Sequence, residues 1–361
     1  MNALKRKIID RIKASGPISV AEYMSIALSD PEHGYYMTRD PLGRDFTTAP
    51  EVSQIFGELI GLFFVQAWED RGQPRPFYFV ELGPGRGTLM ADMLRAARKV
   101  RPEFVDAAKI VLVEISPMLR GVQAETLSTV PVKWVSQFDD VPRGAPLFLV
   151  ANEFFDALPI QQFVKSESGW RERMVASDGN ELVFSLSSTV AIPESPIAIG
   201  DVLTDSILEL NPTATEITRA IGPRFDEHDG VTLVIDYGYD KPALGDTLQA
   251  VKANSYVHPL AEPGEADLTA HVDFAALARA SRSYVLGPIP QGAFLESLGI
   301  NVRAGLLKRR NPERSTEIDA AVERLTGPSD MGRLFKAMTI FEGLDQEEPP
   351  GFDAACGSSH R

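Results

Sequence analysis

Acids recur in this chain where apolar runs give way to turns. Glu81 follows Phe77-Tyr78-Phe79-Val80 and precedes Gly83-Pro84-Gly85-Arg86-Gly87. Glu114 ends Lys109-Ile110-Val111-Leu112-Val113, and Asn152-Glu153-Phe154-Phe155-Asp156 ends Leu147-Phe148-Leu149-Val150-Ala151. Glycines allow a tight turn and let a ligand approach the backbone. Gly83, Gly85 and Gly87 are spaced Gly-x-Gly-x-Gly, unlike the Gly-x-Gly-x-x-Gly that seats a pyrophosphate on a helix N-terminus. A carboxylate just ahead of the first glycine repels a pyrophosphate and suits a ligand carrying an amine and a sulfonium. That ligand is S-adenosylmethionine. At the end of the next strand, Glu114 is placed to accept hydrogen bonds from both ribose hydroxyls.

The elements that must hold these groups follow from the patterning. Short apolar runs at 77–80, 109–113, 132–135, 147–151 and 231–235 read as five strands separated by helical stretches, a doubly wound α/β sheet. Ligands in such sheets lie beyond the carboxyl ends of the strands, so Glu81, Glu114, the Asn152–Asp156 segment and Asp236-Tyr237 should meet there. Asp139-Asp140, after the third strand, is either an adenine-side acid pair or a solvated turn. Helices are expected at 3–14, from the Ser19-x-x-Glu22 capping box to Leu28, and after Ser116-Pro117. Thr48 and Glu51 repeat the capping-box spacing ahead of a stripe of Val52, Ile55, Phe56, Leu59, Ile60, Phe63, Phe64 and Ala67, which must face a core.

Four regions result: an N-terminal helical segment or lid over 1–72, a cofactor-binding core over 73–160 and 229–342, an α+β insert over 161–228, and a disordered tail over 343–361. The insert, between strands four and five, reads as hairpin strands followed by a helix over 214–228, and is the natural place for substrate selection. Further on, Asp246–His258 can supply another strand, Asp267 and Asp273 could each begin a helix, and His271 either faces the crevice or, the better reading, is a satisfied structural histidine.

The 361 residues are 44% hydrophobic and 24% charged, ordinary for a soluble globular protein. No apolar run approaches the ~20 residues of a membrane helix. A net charge of −14 argues against non-specific nucleic-acid binding. Cys356 is the single cysteine, which excludes an intramolecular disulfide and a thiolate metal site, and the five histidines show no metal-ligand spacing. A cytoplasmic enzyme without a metal fits best.

Seven blocks, taken together, resemble the MidA-like arginine methyltransferase family. They are DPEHGYY (30–36), DFTTAPEVSQIFGE (45–58), ELGPGRGTLMAD (81–92), LVEISP (112–117), ANEFFDALP (151–159), DYGY (236–239) and GEADLTAHVDF (264–274). The resemblance implies a class I methyltransferase fold, Rossmann-like, that uses S-adenosylmethionine. Its mitochondrial members assist assembly of respiratory complex I, and the resemblance implies the acceptor of those members, a protein arginine in a complex I subunit. Because the motifs begin almost at Met1, the resemblance implies a bacterial, cytoplasmic member without a transit peptide.

An arginine acceptor is protonated and delocalised. Carboxylates that grip the guanidinium as a fork can draw its charge away from the attacking nitrogen. Glu153 and Asp156 are the candidates, with Asn152 orienting the loop or the methionyl group. The better-known protein arginine methyltransferases instead carry two glutamates on a longer loop. Three rival functions remain: a dehydrogenase, which the third glycine and Glu81 disfavour, an assembly factor that binds the cofactor without catalysis, and a small-molecule methyltransferase, which the long insert disfavours.

Overall fold

The computed structural model describes residues 1–39, 47–190, 193, 202–342 and 348–352. Asp45 and Phe46, together with 343–347 and 353–361 (Cys356 included), lie outside the described residues. The chain divides into two units. One comprises Met1–Phe46, Asp156–Glu216 and Tyr239–Ala276; the other comprises Thr47–Phe155, Ile217–Gly238 and Leu277–Arg361.

The second unit is built on a sheet of β1 (Phe77–Leu82), β2 (Ala108–Val113), β3 (Val132–Val135), β4 (Leu147–Asn152), β5 (Gly230–Tyr239), β6 (Tyr284–Pro290) and β7 (Phe335–Phe341). Their order across the sheet is β3-β2-β1-β4-β5-β7-β6. The first five are parallel, whereas β7 runs antiparallel to both β5 and β6. All five expected strands are present, and β6 and β7 extend the sheet beyond them. The chain reverses its direction of travel between β1 and β4, and their register sets Leu82 beside Ala151. That is the switch point where doubly wound sheets open a crevice.

The stripe expected to face a core does so. Helix Gln54–Asp70 buries Ile55, Phe56, Leu59, Ile60, Phe63, Phe64, Ala67 and Trp68. Phe64 meets Phe79 of β1 at 5.1 Å between ring centroids, and Trp68 meets Phe104 at 5.6 Å. Each such ring contributes about 1.5–3 kcal/mol by leaving water. At Gly61 a Cβ would lie 2.7 Å from the Met93 backbone, so this helix crosses helix Thr88–Val100 closely. The stretch before it differs from expectation. Only Ala49–Val52 is helical, Thr48 provides no side-chain cap, and the long helix restarts with Ser53 capping Ile55.

The first unit is organised around the insert. Strands Gln161–Ser166, Gly169–Asp178, Glu181–Leu186 and Ile207–Leu210 form an antiparallel sheet to which Ile18-Ser19 adds an edge. Helices Ala3–Ser15 and Val20–Ser29 place Ile8, Ile9, Tyr23 and Met24 in one apolar cluster with Val175 and Leu182 of that sheet. Ser19 caps the second helix by accepting the Glu22 N–H at 3.0 Å, as its spacing predicts. A smaller sheet pairs Gln249–Lys252 with Ser255–Val257 and with Asp267–Thr269.

The boundaries therefore depart from the four-region expectation. Residues 47–72 fold with the sheet unit because their apolar stripe covers β1, while 239–276 fold with the insert. An isolated small antiparallel sheet buries too little to stand alone; here the N-terminal helices and the 249–269 strands cover it. The tail expectation is corrected in part: Phe352 is buried, 5.1 Å from Phe294 between ring centroids. Asp267 begins a strand and not a helix, whereas Asp273 does cap helix Phe274–Ser281 through the Ala276 N–H at 2.8 Å.

Candidate active site

Beyond the carboxyl ends of β1, β2, β4 and β5, the sheet unit brings together most of the expected residues. The chain leaves β1 at Leu82 and turns through Gly83, Gly85 and Gly87 with φ of +59°, +53° and +81°, left-handed values that glycine alone adopts without strain. Gly83 is also constrained by contact, since a Cβ there would fall 2.8 Å from Phe154 Cδ2. Its N–H donates to Val113 O at 3.0 Å, fastening the loop to β2.

Glu81 is buried, and its Oε2 has no hydrogen-bond partner. Burial pushes its carboxyl up to about 8, against a smaller opposing pull from the Met90 backbone N–H. Asn152 Oδ1 is likewise buried without a partner. Such orphaned acceptors are rare in folded proteins, and each calls for an explanation.

Glu114 is buried and its carboxyl is raised by that burial, with the Ser116 N–H and the Gln123 amide acting in the other direction. Oε1 accepts from Ser116 N at 2.8 Å and Oε2 from Gln123 Nε2 at 3.1 Å. With the Ile115 N–H also bonded to it, the carboxylate still has acceptor capacity left for a hydroxyl donor. Gln123 is itself fully buried; its Nε2 also donates to Gly85 O at 2.7 Å, and its Oε1 accepts from Trp134 Nε1 at 2.9 Å. This one amide ties the glycine turn to Glu114. Nothing in the sequence pattern singled it out, because Gln123 lies mid-helix in Pro117–Thr126.

Residues 47–53 pack across the same edge. Glu51 Oε1 accepts from Thr88 Oγ1 at 2.6 Å and its Oε2 lies 3.7 Å from Arg86. The carboxylate that had suggested a capping box thus serves the glycine turn. The Ala49 N–H donates to Glu153 Oε1 at 2.8 Å, and Asn152 Nδ2 donates to the same oxygen at 3.2 Å. Glu153 sits at φ +50°. The loop after it is held by Asp236, fully buried at the end of β5: Oδ2 accepts the N–H groups of Phe154 and Phe155 at 3.1 and 2.9 Å, and Oδ1 that of Tyr237 at 2.9 Å. Asp139 and Asp140 form an exposed single turn.

Asp156 belongs to the other unit, where two of the motif blocks surround it. Asp30 Oδ1 accepts from the N–H groups of Glu32 and His33 at 3.1 Å each, building the turn that presents Tyr35 and Tyr36. Gly264 packs so closely on His33 that a Cβ would lie 2.4 Å from its carbonyl oxygen. Tyr36 Oη donates to Asp267 Oδ1 at 2.6 Å, and Ala270 N donates to Asp156 O at 2.9 Å. Burial first, then the charges of Asp267 and Asp156, hold the Tyr36 phenol well above its ordinary value. His271 is pushed below its ordinary value by burial, and its N–H donates to Thr247 Oγ1 at 2.9 Å. Among the described residues no group of His, Cys, Asp and Glu could hold a metal ion, and no helix is long and apolar enough to cross a membrane.

Comparison with known proteins agrees with this geometry. The family model of S-adenosyl-L-methionine-dependent methyltransferases matches residues 59–288. The mitochondrial protein arginine methyltransferase NDUFAF7 of Danio rerio is 37% identical over 94% of this chain and 86% of its own. The Homo sapiens protein of the same name is 38% identical over 93% of this chain and 82% of its own. A crystal structure from Burkholderia thailandensis with bound S-adenosyl-homocysteine superposes with a TM-score of 0.83 at 26% identity, covering 99% of this chain and 95% of that one.

Proposed function

We propose, from the premise that this chain belongs to the family of S-adenosyl-L-methionine-dependent methyltransferases, that its acceptor is an arginine side chain of a protein. The chain is an S-adenosylmethionine-dependent methyltransferase. The observation that carries the acceptor is likeness to proteins named arginine methyltransferases across nearly the whole chain, 94% of it for the Danio rerio relative. A subunit of respiratory complex I is the first acceptor to test, and the bacterial cytoplasm is the location consistent with a single cysteine.

The residues fit the cofactor. We assign its amino-acid end to Glu81, Asn152 and the turn of Gly83, Gly85 and Gly87, and its ribose to Glu114. Supporting this are the two orphaned acceptors, Glu81 Oε2 and Asn152 Oδ1, the left-handed turn, and the acceptor capacity left on Glu114. Bound S-adenosylmethionine supplies a methyl group on a sulfonium, open to in-line displacement. The protein aligns the acceptor nitrogen with that methyl and keeps water out, and positioning of this kind supplies much of the rate. Glu153 and Asp156 are the acids assigned to the guanidinium. They draw its charge away from the attacking nitrogen and accept the proton that nitrogen gives up.

The test uses radiolabelled S-adenosylmethionine, the purified protein and extract from a strain lacking its gene. One labelled protein that yields methylarginine on hydrolysis, and no label with Gly83→Ala, is the expected result. Label confined to small molecules would replace the acceptor with a metabolite. Cofactor binding without any transfer would make the chain a cofactor-binding assembly factor.

A further inference from the structure

We propose that Glu51 is a specificity-determining residue for the cofactor. Acting beside Thr88 and Arg86, its charge sets the glycine turn to favour the sulfonium of S-adenosylmethionine over the uncharged thioether of S-adenosyl-homocysteine. This rests on the assignment of the cofactor to that turn above. All the residues concerned lie in the unit formed by Thr47–Phe155, Ile217–Gly238 and Leu277–Arg361.

Glu51 stands on a short, anchored element. Ala49–Val52 is a four-residue helix with Pro50 in its first turn, and Thr48 O accepts the Glu51 and Val52 N–H groups at 3.0 and 3.2 Å. Ala49 is fully buried with its N–H bonded to Glu153, and Val52 packs on the core of the sheet unit. The carboxylate between them has little freedom. Its Oε1 accepts from Thr88 Oγ1 at 2.6 Å, the short length of a charge-assisted bond, and its Oε2 lies 3.7 Å from Arg86 Nη1. Thr88 opens helix Thr88–Val100, and Gly87 before it gives that helix no side-chain cap. Glu51 therefore reaches one group in the glycine turn and one on the residue that follows it.

Its charge matters as well as its bonds. The turn carries Arg86 and ends on the positive end of a helix dipole, and both oppose a cation. Glu51 adds one negative charge between them. Side-chain exposures of 23% for Glu51 and 34% for Arg86 mean that water screens these charges only in part. The two forms of the cofactor differ by one positive charge, since loss of the methyl turns the sulfonium into a thioether. A purely steric hold on the turn acts on both forms alike. A charge beside the turn does not, so Glu51 tilts binding toward the methyl donor and helps it replace spent product.

The experiment is calorimetric titration of the full chain, without acceptor, with S-adenosylmethionine and separately with S-adenosyl-homocysteine, in wild type and three variants. Glu51→Gln keeps an oxygen for Thr88 and removes the charge. S-adenosylmethionine should then lose at least about threefold in affinity relative to S-adenosyl-homocysteine, a modest factor because the pair is partly exposed. The difference should shrink as salt is raised. Thr88→Val keeps the charge and loses the bond, so both affinities should fall by the same factor. Arg86→Gln should move the ratio the opposite way, and it decides alone if Glu51→Gln does not fold. A folded Glu51→Gln whose ratio matches wild type would overturn the inference and make Glu51 a support of the turn only. Gly83→Ala that binds both ligands as wild type does would instead overturn the placement of the cofactor at the turn.

Discussion

The Glu153 carboxylate accepts the Ala49 backbone N–H at 2.8 Å, and Glu153 holds a left-handed φ of +50° while doing so. A non-glycine residue there stores about 1–2 kcal/mol of strain, which the fold retains only if the surroundings require it. One carboxylate therefore carries two possible loads, the docking of residues 47–52 and charge toward the acceptor.

Substitution separates the two. Glu153→Gln keeps an oxygen for Ala49 and removes the charge, so its unfolding temperature should stay within a few degrees of wild type while turnover falls at least about tenfold. Glu153→Ala loses the bond as well and should cost about 1–2 kcal/mol more in denaturant unfolding. Full turnover by Glu153→Gln, with unchanged cofactor affinity, would reduce Glu153 to a scaffold residue and leave the acceptor to Asp156.

Gln123 joins three groups that are otherwise unrelated: Gly85 O, Glu114 Oε2 and Trp134 Nε1. Gln123→Leu conserves volume but strands all three, Glu114 Oε2 in a buried setting at about 1–3 kcal/mol and the other two in partly buried ones at less. Both stability and S-adenosyl-homocysteine affinity should fall, the latter at least about tenfold by calorimetry, because the glycine turn loses its tie to Glu114. Unchanged affinity would show that the turn is held by its own backbone.

What the sequence disclosed, and what it hid, follows from range. Strands β1 to β5, and the placement of Glu81, Glu114 and Asn152 at their carboxyl ends, were readable because polar residues closing apolar runs are local patterns. The sixth strand carries Gly287-Pro288, which argues against a strand; the structure absorbs it with a register shift between Leu286 and Ile289. Asp267 looked like a helix cap because local spacing cannot show that Tyr36, 231 positions away, holds its carboxylate. The true extent of the insert unit was hidden for the same reason. Only three-dimensional packing reveals that the 3–29 helices and the 249–269 strands cover the sheet of residues 161–210.

With Glu81 assigned to the cofactor, stability and ligand affinity should respond oppositely to pH. Burial pushes its carboxyl in the folded chain up to about 8 from an ordinary value of 4.5. Between those values the unfolded chain has lost the proton and the folded chain keeps it, so this group's contribution is complete below 4.5 and is lost as pH rises through 8. A ligand ammonium facing Glu81 favours the ionised form, so binding should tighten over the same window. Thermal unfolding from pH 5 to 9, with and without S-adenosyl-homocysteine, should show the free protein losing stability while the ligand-induced rise grows. Glu81→Gln should flatten both trends, be more stable than wild type at pH 8, and bind ligand poorly. A wild-type ligand effect independent of pH would place the ligand's cation elsewhere.

Asp236 tests whether the loop after β4 acts as one body. Its two oxygens accept three backbone N–H groups, from Phe154, Phe155 and Tyr237, and Phe154 in turn packs where Gly83 has no Cβ. Asp236→Asn preserves shape but must turn either its amide or its lone carbonyl oxygen toward those donors. At least one N–H then faces another donor in a fully buried position, a loss of about 2–3 kcal/mol. Unlike Glu153→Gln, this change should lower cofactor affinity and turnover together, because the Phe154 ring and the glycine turn move with the loop. Hydrogen exchange at the Phe154 and Phe155 amides should quicken at least about tenfold relative to the rest of the sheet. Exchange that stays slow, with cofactor affinity intact, would show that the loop is held by its ring packing and that Asp236 is dispensable for it.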